Sequence, residues 1–168
     1  MVNKAHSKAG LIRRCLLTRD HSVLVKAFKT YVRPALEYAS VVWSPSYIGL
    51  VDTVESVQRR FTKRLFGLYD LSYADRLTVL GLRSLKYRRL VVDLHMCYKI
   101  LHGLIEINSA DFFTFGNCVT RGHDYKLAHQ YARINSRNHF FAVRVIRVWN
   151  DLPSLVVNAN SLSIFKKD

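Results

Sequence analysis

Apolar residues at helical spacing, rarely interrupted by glycine or proline, constrain the fold of this chain most strongly. The clearest run is Leu50, Val54, Val57, Phe61 and Leu65. This spacing places all of them on one face of an α-helix, and Gly67 just beyond is a typical helix stop. With only 7 Gly and 3 Pro among 168 residues, long regular elements are favoured. We therefore expect a mainly α-helical chain.

Other segments fit helices for the same reasons. Residues 3–17 are basic and helix-compatible, and a short helix over 73–80 would stop at Gly81. A long helix is expected to begin after a capping Ser84 and to stop at Gly103. These segments predict a helical bundle with short connections.

The segment "SVLVKAFKTYVRPALEYASVVW" predicts a helix with a defect in its middle. Asp20 or Ser22 can cap its start. Pro34 lacks a backbone N–H, so the helix should bend or break near Arg33. Its expected apolar row is Val23, Ala27, Tyr31, Ala35 and Tyr38.

The apolar pattern changes after residue 105. Loose alternation from Tyr125 to Ile134 predicts a strand or hairpin, and "NHFFAVRVIRVWNDLP" returns to a helical pattern with Pro153 just past its end. We therefore predict a helical domain over residues 1–105 and a smaller, mixed α/β extension over residues 106–168.

The charge balance points to an anionic partner. Lys and Arg total 26 against 12 acidic residues, a formal net charge of +14. A folded basic domain attracts polyanions, and nucleic acid is the commonest of these. The competing interpretation is a charge that serves solubility, or a surface of the ribosomal-protein type.

The cysteines and the hydropathy pattern bear on the cellular compartment. Cys15, Cys97 and Cys118 are far apart and odd in number, which favours reduced thiols in an intracellular protein. The charged N-terminus does not resemble a signal peptide, and no run of about 18 apolar residues predicts a membrane span. We expect no membrane association and leave cytoplasm or nucleus open.

The stretch "LSYADRL" comes within one residue of the Tyr-X-Asp-Asp box of polymerases. Two adjacent acids are needed to hold two metal ions, whereas here Asp75 is followed by Arg76. Ser72 and Asp75 instead fit a helix-capping pattern ahead of Leu77 and Leu80. We predict that Ser72 accepts a hydrogen bond from the Asp75 backbone N–H and that this stretch has no catalytic role.

Thiol and imidazole groups do not form a recognisable metal-ligand pattern. Cys118 and His123 are five residues apart with His129 nearby, while His95 and Cys97 are two apart on a predicted helix. The chain has no Cys-x-x-Cys pair. We expect no metal site and no cofactor.

Two basic clusters are the candidate binding residues. One lies in "QRRFTKR" and the other in "LKYRRL". The predicted phosphate contacts are Arg59, Arg60, Lys63, Arg64, Lys86, Arg88 and Arg89. Like charges at i,i+4 within the first cluster repel each other, which an anionic partner would relieve. The alternative is a merely solvated charged face, and Tyr87 is either a base-stacking residue or part of a core margin.

The chain also resembles the carboxyl-terminal part of LINE-type (non-LTR) retrotransposon reverse transcriptases of the Jockey and CR1 groups. The resemblance runs from about residue 5 to the end, and its segments occur in the order found in that family. They are "YVRPALEYASVVWSPSY", "VESVQRRFTKRLFGL", "LSYADRLTVLGLRSLKYRRLVVDLHMCYKILHGL", "TRGHDYKL", "NHFFAVRVIRVWNDLP" and "SLSIFKKD".

The resemblance implies a helical thumb followed by a post-thumb extension. Because nothing here resembles the palm with its catalytic aspartates, we expect a non-catalytic fragment that binds RNA or RNA–DNA duplex through its basic helices. An alternative is a helical protein-interaction module or an inert relic without activity, and an enzyme is the third reading. The missing palm would be a partner, and Val41, Val42 and Trp43 are candidates for an exposed apolar patch that causes self-association.

Overall fold

The protein is mainly helical in the computed structural model, which describes residues 1–116 and 123–166. The helices are α1 (Val2–Cys15), α2 (His21–Ala27), α3 (Arg33–Glu37), α4 (Ser40–Trp43), α5 (Ile48–Lys63), α6 (Tyr73–Val79), α7 (Leu85–Leu101), α8 (Asn135–Asn138), α9 (Phe141–Asn150), α10 (Ser154–Val157) and α11 (Leu162–Phe165). A π-helical turn, Phe28–Val32, joins α2 to α3, and a 3-10 turn, Ser109–Asp111, follows α7. The prediction of a mainly α-helical chain is confirmed.

Packing divides the chain into two compact units, Met1–Arg89 and Leu90–Asp168. The division falls inside α7, so the first turn of this helix belongs to the first unit and the rest to the second. The sequence placed the domain boundary at residue 105, where the helical pattern ends. The units divide earlier because α7 beyond Arg89 joins the C-terminal elements, as the Asp93–Arg144 ion pair illustrates.

The core of the first unit forms where α1, α5 and the segment from α2 to α3 meet. Phe28 and Phe61 stack there with their ring centroids 4.5 Å apart. The buried residues are Ala5, Ala9, Ile12, Leu24, Val25, Phe28, Val32, Leu36, Val54, Val57, Phe61, Leu65, Leu68, Leu82 and Leu85. The predicted apolar row of α5 is therefore confirmed except at Leu50, which is exposed.

The predicted defect at Pro34 takes the form of the π-helical turn. The Arg33 backbone N–H bonds to the Phe28 carbonyl, five residues back, instead of the usual four. This wider turn precedes Pro34, which stands in the first turn of α3, where a missing N–H is tolerated. The chain then turns sharply at Ala39, whose φ is +51°.

The apolar row predicted for this segment is wrong at three of its five positions, while Ala27 and Ala35 are partly buried. Val23, Tyr31 and Tyr38 are exposed, and the core instead receives the neighbouring row Leu24, Phe28, Val32 and Leu36. Both rows have four-residue spacing, so periodicity alone did not separate them. A four-residue row drifts by about 40° per step around an α-helix. The wide π-helical turn offsets part of that drift and keeps the row from Leu24 to Leu36 facing the core.

The predicted caps of α6 and α7 are present. The Asp75 backbone N–H donates to Ser72 Oγ at 3.3 Å, as predicted. The Tyr87 backbone N–H donates to Ser84 Oγ at 3.2 Å. Gly81 (φ +57°) follows α6 in the left-handed conformation that favours glycine.

A buried carboxylate joins α5 to the start of α7. Glu55 accepts hydrogen bonds from the backbone N–H groups of Leu85 and Lys86, each at 3.1 Å, and from the Tyr73 hydroxyl. Gln58 donates to the Tyr73 hydroxyl and to the Arg83 carbonyl, both at 3.0 Å. Burial and the Glu55 carboxylate raise the pKa of Tyr73. Glu55 therefore satisfies N-terminal amides that α7 could not satisfy within itself.

The second unit is held together by aromatic stacking and by side chains that bond to irregular backbone. Trp149 is fully buried, and its Nε1 donates to the Tyr125 carbonyl at 2.9 Å. The Asn150 side chain bonds both the N–H and the carbonyl of Leu127, at 2.9 and 2.8 Å. Such contacts replace ladder hydrogen bonds in a region with few regular elements.

The strand or hairpin expected over Tyr125–Ile134 is reduced to a single pairing. Leu127 forms one isolated antiparallel bridge with Phe115, and no strand is present among residues 1–116 and 123–166. The N–H and the carbonyl of Leu127 both bond to the Asn150 side chain, so they do not pair with another strand. The helix expected in "NHFFAVRVIRVWNDLP" is α9, with Pro153 beyond its end.

Candidate nucleic-acid interface

A narrow cationic cleft lies in the first unit where α1 packs against α5. Arg13 from α1, Arg60 from α5 and Arg64, which directly follows α5, line it together with His6. Ala9 and Gly10 of α1 lie in the same lining. Ala9 is buried at this crossing, where α1 and α5 pack together and basic side chains from both helices meet at one place.

The electrostatics of the cleft are uniformly positive. Of the described residues that line it, none is acidic. His6 Nε2 lies 3.3 Å from Ser56 Oγ, and burial lowers the pKa of His6 with further contributions from the charges of Arg60 and Arg64. A neutral imidazole beside guanidinium groups relieves some repulsion, but the guanidinium groups stay charged. The arrangement suits a phosphate group, which accepts hydrogen bonds from several guanidinium N–H groups at once.

The other basic residues of the "QRRFTKR" cluster have different surroundings. Lys63 is exposed, like Arg60 and Arg64. Arg59 instead forms an ion pair with Asp52 at 3.5 Å and lies over the Tyr73 ring, 5.3 Å from its centroid. Arg59 therefore already has a carboxylate partner, although its side chain is still accessible.

The α7 cluster meets α3 and not the cleft. Arg88 forms a two-pronged ion pair with Glu37, in which Nη2 lies 3.0 Å from Oε2. This carboxylate also lies 3.7 Å from Arg33, and its hydrogen bond raises the pKa of Arg88. Lys86, by contrast, is exposed. Arg88 thus holds α7 to α3, and Glu37 offsets part of its positive charge while also facing Arg33.

Arg89 requires a correction. It is only 4% exposed, its Nη2 donates to the Leu36 carbonyl at 3.1 Å, and its guanidinium lies 5.2 Å from the Trp43 ring centroid. A side chain buried in this way cannot reach a phosphate on the surface. The sequence did not reveal this because neighbouring positions on a helix point in different directions, and only the packing shows which one faces the core.

Arg13 and His6 were missed by sequence analysis. Both lie in α1, which the sequence identified only as basic and helix-compatible. A signal was present, since "LIRRC" places a second arginine pair at the end of a predicted helix. What the sequence lacked was the pairing of α1 with α5, a contact between helices more than thirty residues apart in the chain.

The polymerase-like stretch "YADR" forms the start of α6 and not the turn of a hairpin. Asp75 is exposed in the first turn, where its Oδ2 accepts from Ser72 Oγ at 2.5 Å. Arg76 is buried, and its Nε donates to Thr62 Oγ1 at 3.3 Å. This stretch therefore fixes α6 to α5 and brings no second carboxylate to Asp75.

The remaining sequence predictions concern metal sites, cysteines and membrane spans. Over residues 1–116 and 123–166, no three His, Cys, Asp or Glu side chains gather in a way that could hold a metal ion. Cys118 lies outside the described residues. Cys97 is buried, and burial raises the pKa of its thiol, whereas Cys15 is exposed. No described helix combines the length and the apolar character needed to cross a bilayer.

The predicted apolar patch is partly exposed. Val42 is 82% exposed, whereas Val41 and Trp43 are half-buried. Trp43 Nε1 donates to the Tyr38 carbonyl. Further exposed apolar residues flank α4 along the chain, namely Tyr38, Tyr47, Ile48 and Leu50. We call the segment from Tyr38 to Leu50 the apolar segment.

Comparison with known proteins gives one distant relative. No protein-family model and no solved structure matches the chain. A Caenorhabditis elegans protein described as uncharacterized protein B0403.1 is 27% identical over 104 residues, which cover 60% of this chain and 52% of that protein. The chain thus spans about half the length of this relative, whose name states no activity.

Proposed function

We propose that this chain is a non-catalytic, thumb-like part of a LINE-type reverse transcriptase that binds RNA or RNA–DNA duplex through its basic helices. The observation that carries the proposal is the cationic cleft between α1 and α5. Arg13, Arg60 and Arg64 converge there, and no described acidic residue lines it. Lys63 and Lys86 remain as exposed basic residues of the sequence-predicted set, and Arg59 is a weaker candidate because Asp52 pairs with it.

We expect an anionic partner at this cleft because packing holds like charges close together, where they repel each other. Arg60 lies in the last turn of α5 and Arg64 directly follows that helix, and α1 adds Arg13 to the same cleft. A nucleic-acid backbone offsets this repulsion and releases its own condensed counterions. Such contacts are made to phosphates, so they favour polynucleotides over neutral ligands without selecting a sequence.

The resemblance to LINE-type reverse transcriptases supports the same proposal. It implies a helical thumb, and the first unit is helical throughout its regular elements. We further propose that a palm domain of the polymerase kind is a partner and that the protein acts inside the cell. We also propose that residues 106–168 form the post-thumb extension, whose β-structure among the described residues is the single pairing of Phe115 with Leu127.

A salt titration of RNA–DNA hybrid binding tests the proposal. Arg60→Ala/Arg64→Ala removes two expected phosphate contacts, so the log–log slope of affinity against salt should become shallower by about 1.4 to 1.8. The matched control is Arg133→Ala/Arg137→Ala, which removes the same charge from exposed positions of the second unit. An equal change of slope in both double variants would show that net charge acts and not the cleft.

The second candidate function is a helical protein-interaction module. The apolar segment favours it, because exposed apolar residues in sequence proximity often mark a protein contact. This function predicts concentration-dependent self-association that Val42→Lys weakens, measured by sedimentation. Absence of hybrid binding at about 50 mM salt, where cationic surfaces act most strongly, would favour this candidate or the inert relic over nucleic-acid binding.

A further inference from the structure

A second surface of the first unit, separate in its residues from the cationic cleft, is a groove of about 620 Å³ beside the start of α7. The residues that line it include the apolar Leu77 and Leu82, the polar Thr78, and Arg83 and Tyr87. Its volume falls within the range of small-ligand sites, about 300–1,000 Å³. None of the described residues lining it is acidic.

Tyr87 and Arg83 form the functional part of the groove. The Arg83 guanidinium lies 5.5 Å from the centroid of the Tyr87 ring, within the range of a cation–π contact. Arg83 is exposed, and Tyr87 is still 49% exposed despite this contact. The guanidinium therefore orients an aromatic ring that remains accessible to a flat partner.

The charge available in the groove comes from Arg83 and not from the helix terminus. The first backbone N–H groups of α7 are already used, since Glu55 accepts from Leu85 and Lys86, and Ser84 accepts from Tyr87. An anion at this site would have to bind the guanidinium. The residues that line the groove thus provide apolar side chains, an aromatic ring and one cationic group.

We propose that this groove binds an unpaired nucleotide, with its base stacked on Tyr87 and its phosphate on Arg83. The proposal rests on nucleic-acid binding as the function of the chain and adds a place for single-stranded nucleic acid. Aromatic stacking suits any base because every base has a flat π face, and an adjacent arginine adds attraction to the backbone. An acidic residue in the lining, which would repel the phosphate, is absent among the described residues.

The test compares a blunt RNA–DNA hybrid with the same hybrid carrying a single-stranded overhang of five nucleotides. We expect the overhang to tighten binding of the wild-type protein by about 5- to 150-fold, the range for stacking of one base. Tyr87→Ala should abolish this gain, Tyr87→Phe should keep it, and Arg83→Gln should reduce it. Tyr69→Ala, at another exposed tyrosine of the same unit, is the matched control and should keep it.

A fluorescent base analogue, 2-aminopurine, placed in the overhang gives a readout that loss of fold would not imitate. Its emission should change on binding to the wild type and to Tyr87→Phe, but not to Tyr87→Ala at saturating protein. Thermal unfolding of each variant checks that the fold is kept.

The outcomes separate the two proposals. Tight binding to the blunt hybrid with no gain from the overhang, or a gain that survives in Tyr87→Ala, overturns the groove while leaving the cleft in place. An equal loss for both substrates in Tyr87→Ala also overturns it, because the ring would then act on duplex or on the fold. If the wild type binds neither substrate, both proposals are wrong.

Discussion

The basic clusters of α5 and α7 look alike in sequence but differ in their surroundings. "QRRFTKR" leaves Arg60, Lys63 and Arg64 exposed and brings two of them against another basic helix. "LKYRRL" places Arg88 on Glu37 and buries Arg89 against Leu36 and Trp43. One cluster is therefore a candidate for external anions, whereas much of the other fastens its own helix in place.

The difference arises from what lies opposite each helix. α7 begins across from α3, which supplies a carboxylate and a backbone carbonyl, and the two partners of the Arg88 pair are 51 residues apart in the chain. α5 faces α1, which supplies another arginine. A count of positive charges along a sequence therefore does not predict a binding surface, because ion pairs within the fold neutralise some of those charges.

The largest expected effect concerns stability and the start of α7. There the Glu55 carboxylate of α5 accepts hydrogen bonds from the first amides of the helix. Glu55→Ala leaves two backbone N–H groups and the Tyr73 hydroxyl without their acceptor. We expect the free energy of unfolding to fall by about 3–5 kcal/mol, as for removal of one partner of a buried charged contact. Urea denaturation measures it, with Glu106→Ala at an exposed position as control. A loss below about 1 kcal/mol would mean that α7 begins without this support.

The next effect separates Arg89 from Arg60 directly. Arg89→Ala removes a hydrogen bond to the Leu36 carbonyl and uncovers the Trp43 ring, so it should lower the free energy of unfolding by about 2–4 kcal/mol. The exposed Arg60→Ala should change it by less than about 0.5 kcal/mol. In hybrid binding the order should reverse, with the salt slope altered by Arg60→Ala and unaltered by Arg89→Ala at a temperature where both variants are folded. If both variants changed the free energy of unfolding and the salt slope alike, the two clusters would not differ in role.

The smallest effect concerns His6 in the cleft, which faces Arg60, Arg64, Arg13 and Ser56. Its pKa is lowered in the folded protein, chiefly by burial, so below about pH 6.5 the unfolded chain binds this proton more readily. Stability is therefore complete above the unfolded pKa and is lost as the pH falls.

His6→Gln should flatten part of this loss between pH 7.5 and pH 5.5, measured as the shift of the urea midpoint. Some pH dependence should remain, because burial also lowers the pKa of His95 and His102. An unchanged pH profile in His6→Gln would show that folding does not lower the pKa of this imidazole.

The sequence predicted those elements whose signals are local. Helix stops at Gly81 and Gly103, the caps at Ser72 and Ser84, and the defect before Pro34 all depend on residues within one helical turn of each other. The apolar row of α5 was also predictable, since its residues recur over four turns with polar positions between them.

The sequence could not predict features set by contacts between distant segments. The choice between the rows Val23–Tyr38 and Leu24–Leu36 depends on what lies opposite the helix, and so does the fate of Arg89. In the second unit, Asn150 bonds the backbone of Leu127, a contact that leaves no periodic signal. The cleft was not predictable because it depends on the packing of α1 against α5, which brings Arg13 into the candidate site.

The π-helical turn makes one short stretch of the chain sensitive to its length while leaving its composition free. Thr30 and Tyr31 are exposed, so other residues can replace them at little cost. Deleting one of them would close the turn to ordinary α-helix and bring the Pro34 ring against a carbonyl of the preceding turn. Phe28 and Leu36 would then be separated by about two α-helical turns, so Leu36 would keep close to its present direction. The cost of the deletion would therefore come from the clash at Pro34, which the wide turn prevents.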